Sequence, residues 1–406
     1  MITPPSDLVS TDAPRVPLHS SEFSADPHGA YLEMRRKYGA LVPVELSPGV
    51  PATLVIGYRT GLAILNDPAR FPADPRAWEV TVPTDSPVLE VLRWRPIAMR
   101  SAGQDHARLR TVVSTALDEL DLHTIQGVVQ RTAVPLINAF CTTGAANLVT
   151  QYAGPLVFMV INELLGCPPE ISRRAAASVA AILDGTDSQD GNRAFENAVR
   201  HLVAVKRAEP GPDLTTSLLR HGSTLNDEEI LQQLLVFYGI GMEPVQNLIT
   251  NTLRLLLIDD RFGDGVVGGA LSTRDALDQA LFEDPPLPNN SITYPRQPIL
   301  IDGVWLPANQ PVIVSAAGCN RDPEIATGDH IGNRSHLAFS AGTHACPARS
   351  MAYLMAQSAV DQLLDALPEL RLAVAGNELQ WRPGLFQRAL AELPVTFEPA
   401  PLMPLL

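Results

Sequence analysis

The sequence has no CxxC pair, no internal repeat, and no run of about eighteen apolar residues free of charge. Its four cysteines, Cys141, Cys167, Cys319 and Cys346, follow no regular spacing. That excludes a disulfide framework and reads as reduced thiols of a cytoplasmic protein. The missing apolar run excludes a membrane span. The opening "MITPPSDLVSTDAPRVPLHS" lacks the charged start and apolar stretch of an export signal, so no export is expected. Positive charge is scarce too: 30 Lys and Arg stand against 44 Asp and Glu, a formal net charge of −14. Nucleic acid polymers and anionic membranes are therefore excluded as main partners, because phosphate binding needs clustered cations. "GDGVVGG", 263–269, lacks the Lys-Ser/Thr that would follow in a phosphate loop and reads as a plain loop.

What is present is an ordinary globular composition, 46% hydrophobic and 18% charged, over 406 residues. That length allows a sizeable core. No linker divides the chain, so one domain over 1–406 is expected, with a β-rich lobe at about 38–60 and 290–318. A helical body is expected at about 61–285 and 348–366. The spacing predicts a helix from about Gly29 to Lys37, strands in "LVPVEL" and "ATLVIG", and a helix in "RTGLAILNDP". "QPILIDGVWLPANQPVIVSAA" carries short β-branched runs broken at Asp302-Gly303 and Pro307 and predicts a small sheet. A last helix precedes strands near "LRLAV" and "LPVTF".

"NDEEILQQLLVFYGIGMEPVQNLITNTLRLLL" predicts a long buried helix opened by a capping box of Asn226 and Glu229. Pro244 removes one backbone donor there, a cost of about 3 kcal/mol in a regular helix. On these residues alone it is either a packing kink or a functional opening. In "HLAFSAGTHACPARSMAYLMAQ", an isolated Cys346 sits in a Gly/Pro loop running into a helix. A helix N-terminus stabilises a thiolate and suits it to a metal, but a lone cysteine also serves as a small apolar filler. Zinc is poorly served by His344 and Cys346 alone, since a structural site takes four N/S ligands.

"FSAGTHACPAR" resembles the haem-ligand loop of the cytochromes P450: Phe, two residues, Gly, any, His, any, Cys. Phe339, Gly342, His344 and Cys346 fall in register. "DHARLR", the interrupted long helix, "EDPP" and "NRDP" follow the family's order over nearly the whole chain. The resemblance implies a mainly α fold with a smaller β region, holding haem b between a long distal helix and the cysteine loop. It makes Cys346 the proximal iron ligand, with His106, Arg110 and His344 toward the haem propionates. On the distal helix, Ile240, Gly241, Met242, Glu243 and Pro244 occupy the family's Ala/Gly-Gly-x-Asp/Glu-Thr positions. Gly241, Glu243 and Pro244 are the catalytic candidates, and Pro244, replacing the threonine, is expected to fix an opening over the iron. The family's Glu-x-x-Arg pair falls on Gln279 and Phe282. Arg334 is then expected to bond Asp278, the Gln279 carbonyl or backbone oxygens. The usual propionate arginine after "PP" falls near Thr293, leaving open whether Arg296 substitutes.

These departures resemble an atypical actinobacterial branch that includes cyclodipeptide-tailoring enzymes. The implied function is oxidative C–C or C–N coupling of a tryptophan-containing diketopiperazine to itself or to an aromatic or nucleobase partner. Hydroxylation of a small natural product, a peroxide-driven reaction and a silent haem-binding partner are the alternatives. The substrate candidates are Trp78, Met99, Met242, Val245, Asn289 and Phe386. Ferredoxin and ferredoxin reductase are the implied electron donors, docking near Arg108 and Arg349 on a cytoplasmic monomer.

Overall fold

The structure is a computed structural model that describes residues 14–183, 188–326 and 330–405. Most of the proline-rich opening segment lies outside the described residues. Pro27–Tyr38 is helical because Asp26 caps it, its carboxylate accepting from the Gly29 N–H at 2.9 Å, while Pro27 supplies a preset φ. It stops at Gly39, whose φ of 75° leaves the helical region. The chain turns back through Leu41–Ser47 and Val50–Val55, an antiparallel pair joined at Gly49. Val312–Val314 adds in parallel to Val50–Val55, and Ser291–Thr293 adds to that strand antiparallel, so distant segments complete a five-stranded sheet begun by Val16–Pro17. Leu54, Ile292 and Ile313 point to one face and join a core with Trp78 and Tyr294; Val55, Val312 and Val314 point to the other and pack with Ile64 and Leu337. This is the period-two alternation of a sheet covered on both sides.

The small sheet read from "QPILIDGVWLPANQPVIVSAA" is two structures. Ile299–Ile301 and Val304–Leu306 form a separate hairpin turned by Asp302 and Gly303 at φ 48° and 78°, both left-handed as a tight hairpin requires. Only Val312–Val314 enters the larger sheet. The plain loop expected at 263–269 is also corrected, because Asp260–Val267 is helical. The Asp259 carboxylate accepts from the Arg261 N–H at 3.1 Å, Phe262 is buried, and Gly269 at φ 73° marks the turn that follows. A cap, an apolar anchor and a terminator outweigh the glycines' poor helix propensity.

The chain divides into two compact units. One, Met1–His106, Asn251–Cys346 and Ala375–Ala391, holds the five-stranded sheet and the cysteine loop. The other, Ala107–Thr250, Pro347–Val374 and Glu392–Leu406, is largely helical. In it, Leu122–Asn138 packs against both Gly154–Leu164 and Arg349–Ala366, and Ala145–Asn147, Pro394–Thr396 and Arg371–Leu372 form a three-stranded sheet. Tyr152 ties this unit together, its hydroxyl donating to the Ala359 carbonyl at 2.6 Å. Among the described residues no helix is long and apolar enough to cross a membrane.

Candidate functional site

The cysteine loop belongs to the first unit. Its shape depends on Gly342, at φ 66°, where a Cβ would collide with the Leu65 carbonyl oxygen. The Cys346 N–H donates to the Phe339 carbonyl at 2.9 Å and the Ala345 N–H to Gly342 at 3.2 Å, closing the loop on itself. Asn320, fully buried, holds its entry by accepting from the Leu337 N–H at 2.8 Å. Cys346 is thus outside any disulfide and half-buried, on a backbone fixed at several points. In the same unit His106 is brought against His344, ring centroids 4.1 Å apart and planes tilted by 42°. Arg110 lies one turn beyond His106 on the helix Gly103–Asp118, in the second unit, and its Nε donates to Ser114 at 3.0 Å.

The long helix, Asp227–Ile258, opens with the capping box read from the sequence. The Asn226 side chain accepts from the Glu229 N–H, and Glu229 accepts from the Asn226 N–H, both at 2.9 Å. Tyr238 is pinned by donating to Asn162 at 2.9 Å. The helix is not interrupted at Pro244, which corrects the expected opening. Proline removes one N–H, yet the rest of a 32-residue ladder holds the segment helical. Room is made sideways instead. Residues 239–244 are exposed or half-exposed between buried Tyr238 and Val245. A Cβ on Gly239 would meet nothing within 4 Å, and one on Gly241 only atoms at 3.8 and 3.9 Å.

These features bear on whether the residues fit a haem. Among the described residues no group of three or more His, Cys, Asp or Glu side chains is placed to hold a metal ion. A single cysteine cannot by itself saturate a transition metal, so an iron held here would have to bring its remaining ligands with it, as the four nitrogens of a porphyrin do. Within the first unit, a preset loop with one thiol and two histidine rings in contact suit such a group.

The remaining predicted residues are distributed as follows. Trp78 is buried against Tyr294, with centroids 5.6 Å apart, and Phe386 packs on the same core. Asn289 is fully buried, accepting from the Tyr31 hydroxyl at 3.2 Å and donating to the Leu385 carbonyl at 2.8 Å. Its amide is used at both ends by the fold, so it is a tie between segments and not a substrate contact. Met99 and Met242 are half-exposed, and Val245 is buried. Arg296 is committed to Asp74 at 2.9 Å, a carboxylate shared with Arg76. Arg108 is engaged by Glu229, which corrects its expected availability for docking.

Where the family's Glu-x-x-Arg pair is missing, Asp278 takes the anionic place one residue earlier. Fully buried, it accepts from Arg334 Nε at 3.0 Å, with His336 Nε2 3.9 Å from its other oxygen. Phe282 stacks on His330 at 4.0 Å and meets His336 edge-on, an aromatic cluster in place of an ion. A second buried carboxylate was missed in the sequence. Asp284 lies 2.9 Å from His28, 3.0 Å from Arg388 and 3.5 Å from Arg254. Burial pushes against its ionisation, but the hydrogen bond with His28 and the nearby Arg388 and Arg254 guanidiniums win and hold the carboxyl far below its usual range. "EDPP" marked a structural segment, yet its partners lie at 28, 254 and 388, distances in sequence that no local pattern reveals.

No protein-family model matches the chain. The chain is 29% identical to the cytochrome P450 monooxygenase PikC of Streptomyces venezuelae, over 92% of each protein. It is 28% identical to the vitamin D(3) 25-hydroxylase of Pseudonocardia autotrophica, covering 97% of this chain and 99% of that one. Its fold matches testerone-bound CYP154C4 from Streptomyces sp. ATCC 11861 with a TM-score of 0.86 at 27% identity, over 96% and 99% of the two chains. The chain is a cytochrome P450 of the bacterial type. As a P450 it is an oxidoreductase whose cofactor is haem b. Its mainly helical architecture with a smaller sheet region is the P450 fold.

Proposed function

We propose that this P450 uses Cys346 as the thiolate ligand of the haem iron. We further propose that it couples a tryptophan-containing cyclodipeptide, through a C–C or C–N bond, to itself or to an aromatic or nucleobase partner. Haem b supplies the oxidising equivalent, drawn from dioxygen and two electrons delivered by a ferredoxin and its reductase. The chain does the rest. The Phe339–Cys346 hydrogen bond presents the thiolate in a fixed direction. His106, Arg110 and His344 supply donors for the cofactor's carboxylates. Gly239 and Gly241 leave lateral room on the long helix for reactants held in contact, where orientation counts for more than chemical assistance. One hydrogen leaves each reactant, a bond forms between the two atoms so freed, and dioxygen with two electrons and two protons takes up both hydrogens as two waters.

The observation that carries this reading is Pro244 in an unbroken helix. That position offers neither a hydroxyl nor an N–H to hold a water, so proton delivery rests on Glu243 or on the substrate's own N–H groups. Hydroxylation of a small natural product is the second reading, favoured because the relatives are named as a monooxygenase and a hydroxylase. Mass spectrometry of turnovers with cyclo(Trp-Trp), ferredoxin and reductase separates the two. Coupling gives the summed mass of the reactants less two hydrogens; hydroxylation adds one oxygen. An added oxygen with no coupled species overturns the first reading, and failure of cyclodipeptides to perturb the haem spectrum removes the substrate class.

A further inference from the structure

We propose that Arg100, with Tyr294, forms a binding site for a carboxylate. Arg100 is only 5% exposed, and its hydrogen bond within the fold runs from Nη2 to the Val91 carbonyl at 3.3 Å. Among the described residues no carboxylate lies within ion-pair distance of it. The acids nearby are committed elsewhere. Asp74 is shared by Arg76 and Arg296, and Glu79 accepts from the Trp94 backbone N–H. Within electrostatic reach of this guanidinium lies one more buried donor with no acceptor, the hydroxyl of Tyr294, a residue with no exposed surface. Arg100 and Tyr294 lie within electrostatic reach of each other, and Trp78 packs on Tyr294 with ring centroids 5.6 Å apart.

A buried cation without a counter-ion is among the costliest arrangements a fold keeps, and a buried polar atom without a partner signals a ligand or water that belongs there. Guanidinium N–H and phenol O–H together call for an acceptor bearing negative charge. A planar guanidinium fork matches the two oxygens of a carboxylate. Two sources share that chemistry, a propionate of the haem and a carboxylate on a soluble reactant. The haem source rests on the P450 reading; the site does not.

The test uses the haem-loaded full chain and its Arg100→Met, Arg100→Lys and Tyr294→Phe variants. Haem transfer to excess apomyoglobin reports the cofactor source. Spectral or calorimetric titration with benzoate and with its neutral methyl ester reports the soluble source. If a propionate is the ligand, Arg100→Met speeds haem transfer about tenfold and Arg100→Lys restores part of the loss. If a soluble carboxylate is the ligand, transfer is unchanged and Arg100→Met weakens benzoate about tenfold while leaving the ester alone. Should Arg100→Met fail to fold, Tyr294→Phe, which removes one hydroxyl, moves the same readout about three- to fivefold. Wild-type haem transfer and wild-type benzoate binding in the folded variants overturn the proposal. A wild-type chain that takes up no haem would sink the P450 reading and leave the benzoate arm in force.

Discussion

Two regions of the first unit bury charge in opposite ways. Around Asp284 a carboxylate is enclosed by His28, Arg388 and Arg254, and Arg388 also lies 3.5 Å over the Trp381 ring. Around Arg100 a guanidinium is equally withdrawn from water and has one carbonyl. The first arrangement is complete within the chain, so its charges position segments: the start of the Pro27–Tyr38 helix, the end of the long helix and the 382–388 segment. The second is complete only with something the chain does not contain. Burial alone therefore separates nothing; the presence of a counter-ion separates structural charge from ligand-binding charge.

The largest expected effect comes from breaking the complete arrangement. Asp284→Ala strands Arg388, whose side chain is only 13% exposed, and should cost about 3–5 kcal/mol in urea unfolding. A loss under about 1 kcal/mol would contradict the reading. The same carboxylate is ionised further into acid in the folded than in the unfolded chain. Its contribution is thus fully present above the unfolded pKa of about 4 and is lost as pH falls below it. Asp284→Asn should flatten that part of the acid limb, and an unchanged limb would show that other groups govern it. Arg100→Met should have the opposite sign, stabilising the haem-free chain by about 1–4 kcal/mol because it removes a stranded charge. Destabilisation would mean that the fold does pair it. Asp278→Asn is expected to be smaller, about 1–2 kcal/mol, since Arg334 is 46% exposed and water takes over once the ion pair is gone. A loss as large as that of Asp284→Ala would place Arg334 among the buried cations. Cys167, pushed up to about 11 by burial, should react with iodoacetamide far more slowly at pH 8 than an unburied thiol; ordinary reactivity would contradict its enclosure.

Local chemistry was legible in the sequence. The Asn226–Glu229 box, the turn at Asp302-Gly303, the strands at 41–47 and 50–55 and the last helix all follow from spacings of a few residues. The cysteine loop was legible for the same reason, since Phe339, Gly342, His344 and Cys346 lie within eight positions. Arg334 was expected to find Asp278 or a neighbouring acceptor once the two ions of Glu-x-x-Arg were seen to be missing together, and it does. Other features depend on long-range packing. Asn289 looked like a loop residue near the substrate because its partners at 31 and 385 are remote in sequence. Arg100 gave no signal in "IAMRSAG", because burial of a cation is decided by what surrounds it, here the Val91 carbonyl and the remote Tyr294. The opening expected at Pro244 came from the resemblance, since the residues alone allow a packing kink as well, and the continuing ladder on both sides decides the outcome.

The sulfur of Cys346 is the group on which the haem reading rests. The most direct measurement is the carbon monoxide difference spectrum of the reduced, haem-loaded chain beside that of Cys346→Ser. A strongly red-shifted, thiolate-type band in the wild type that disappears in the variant is the predicted result. A band kept by the serine variant, or an imidazole-type band in folded wild type, would contradict it.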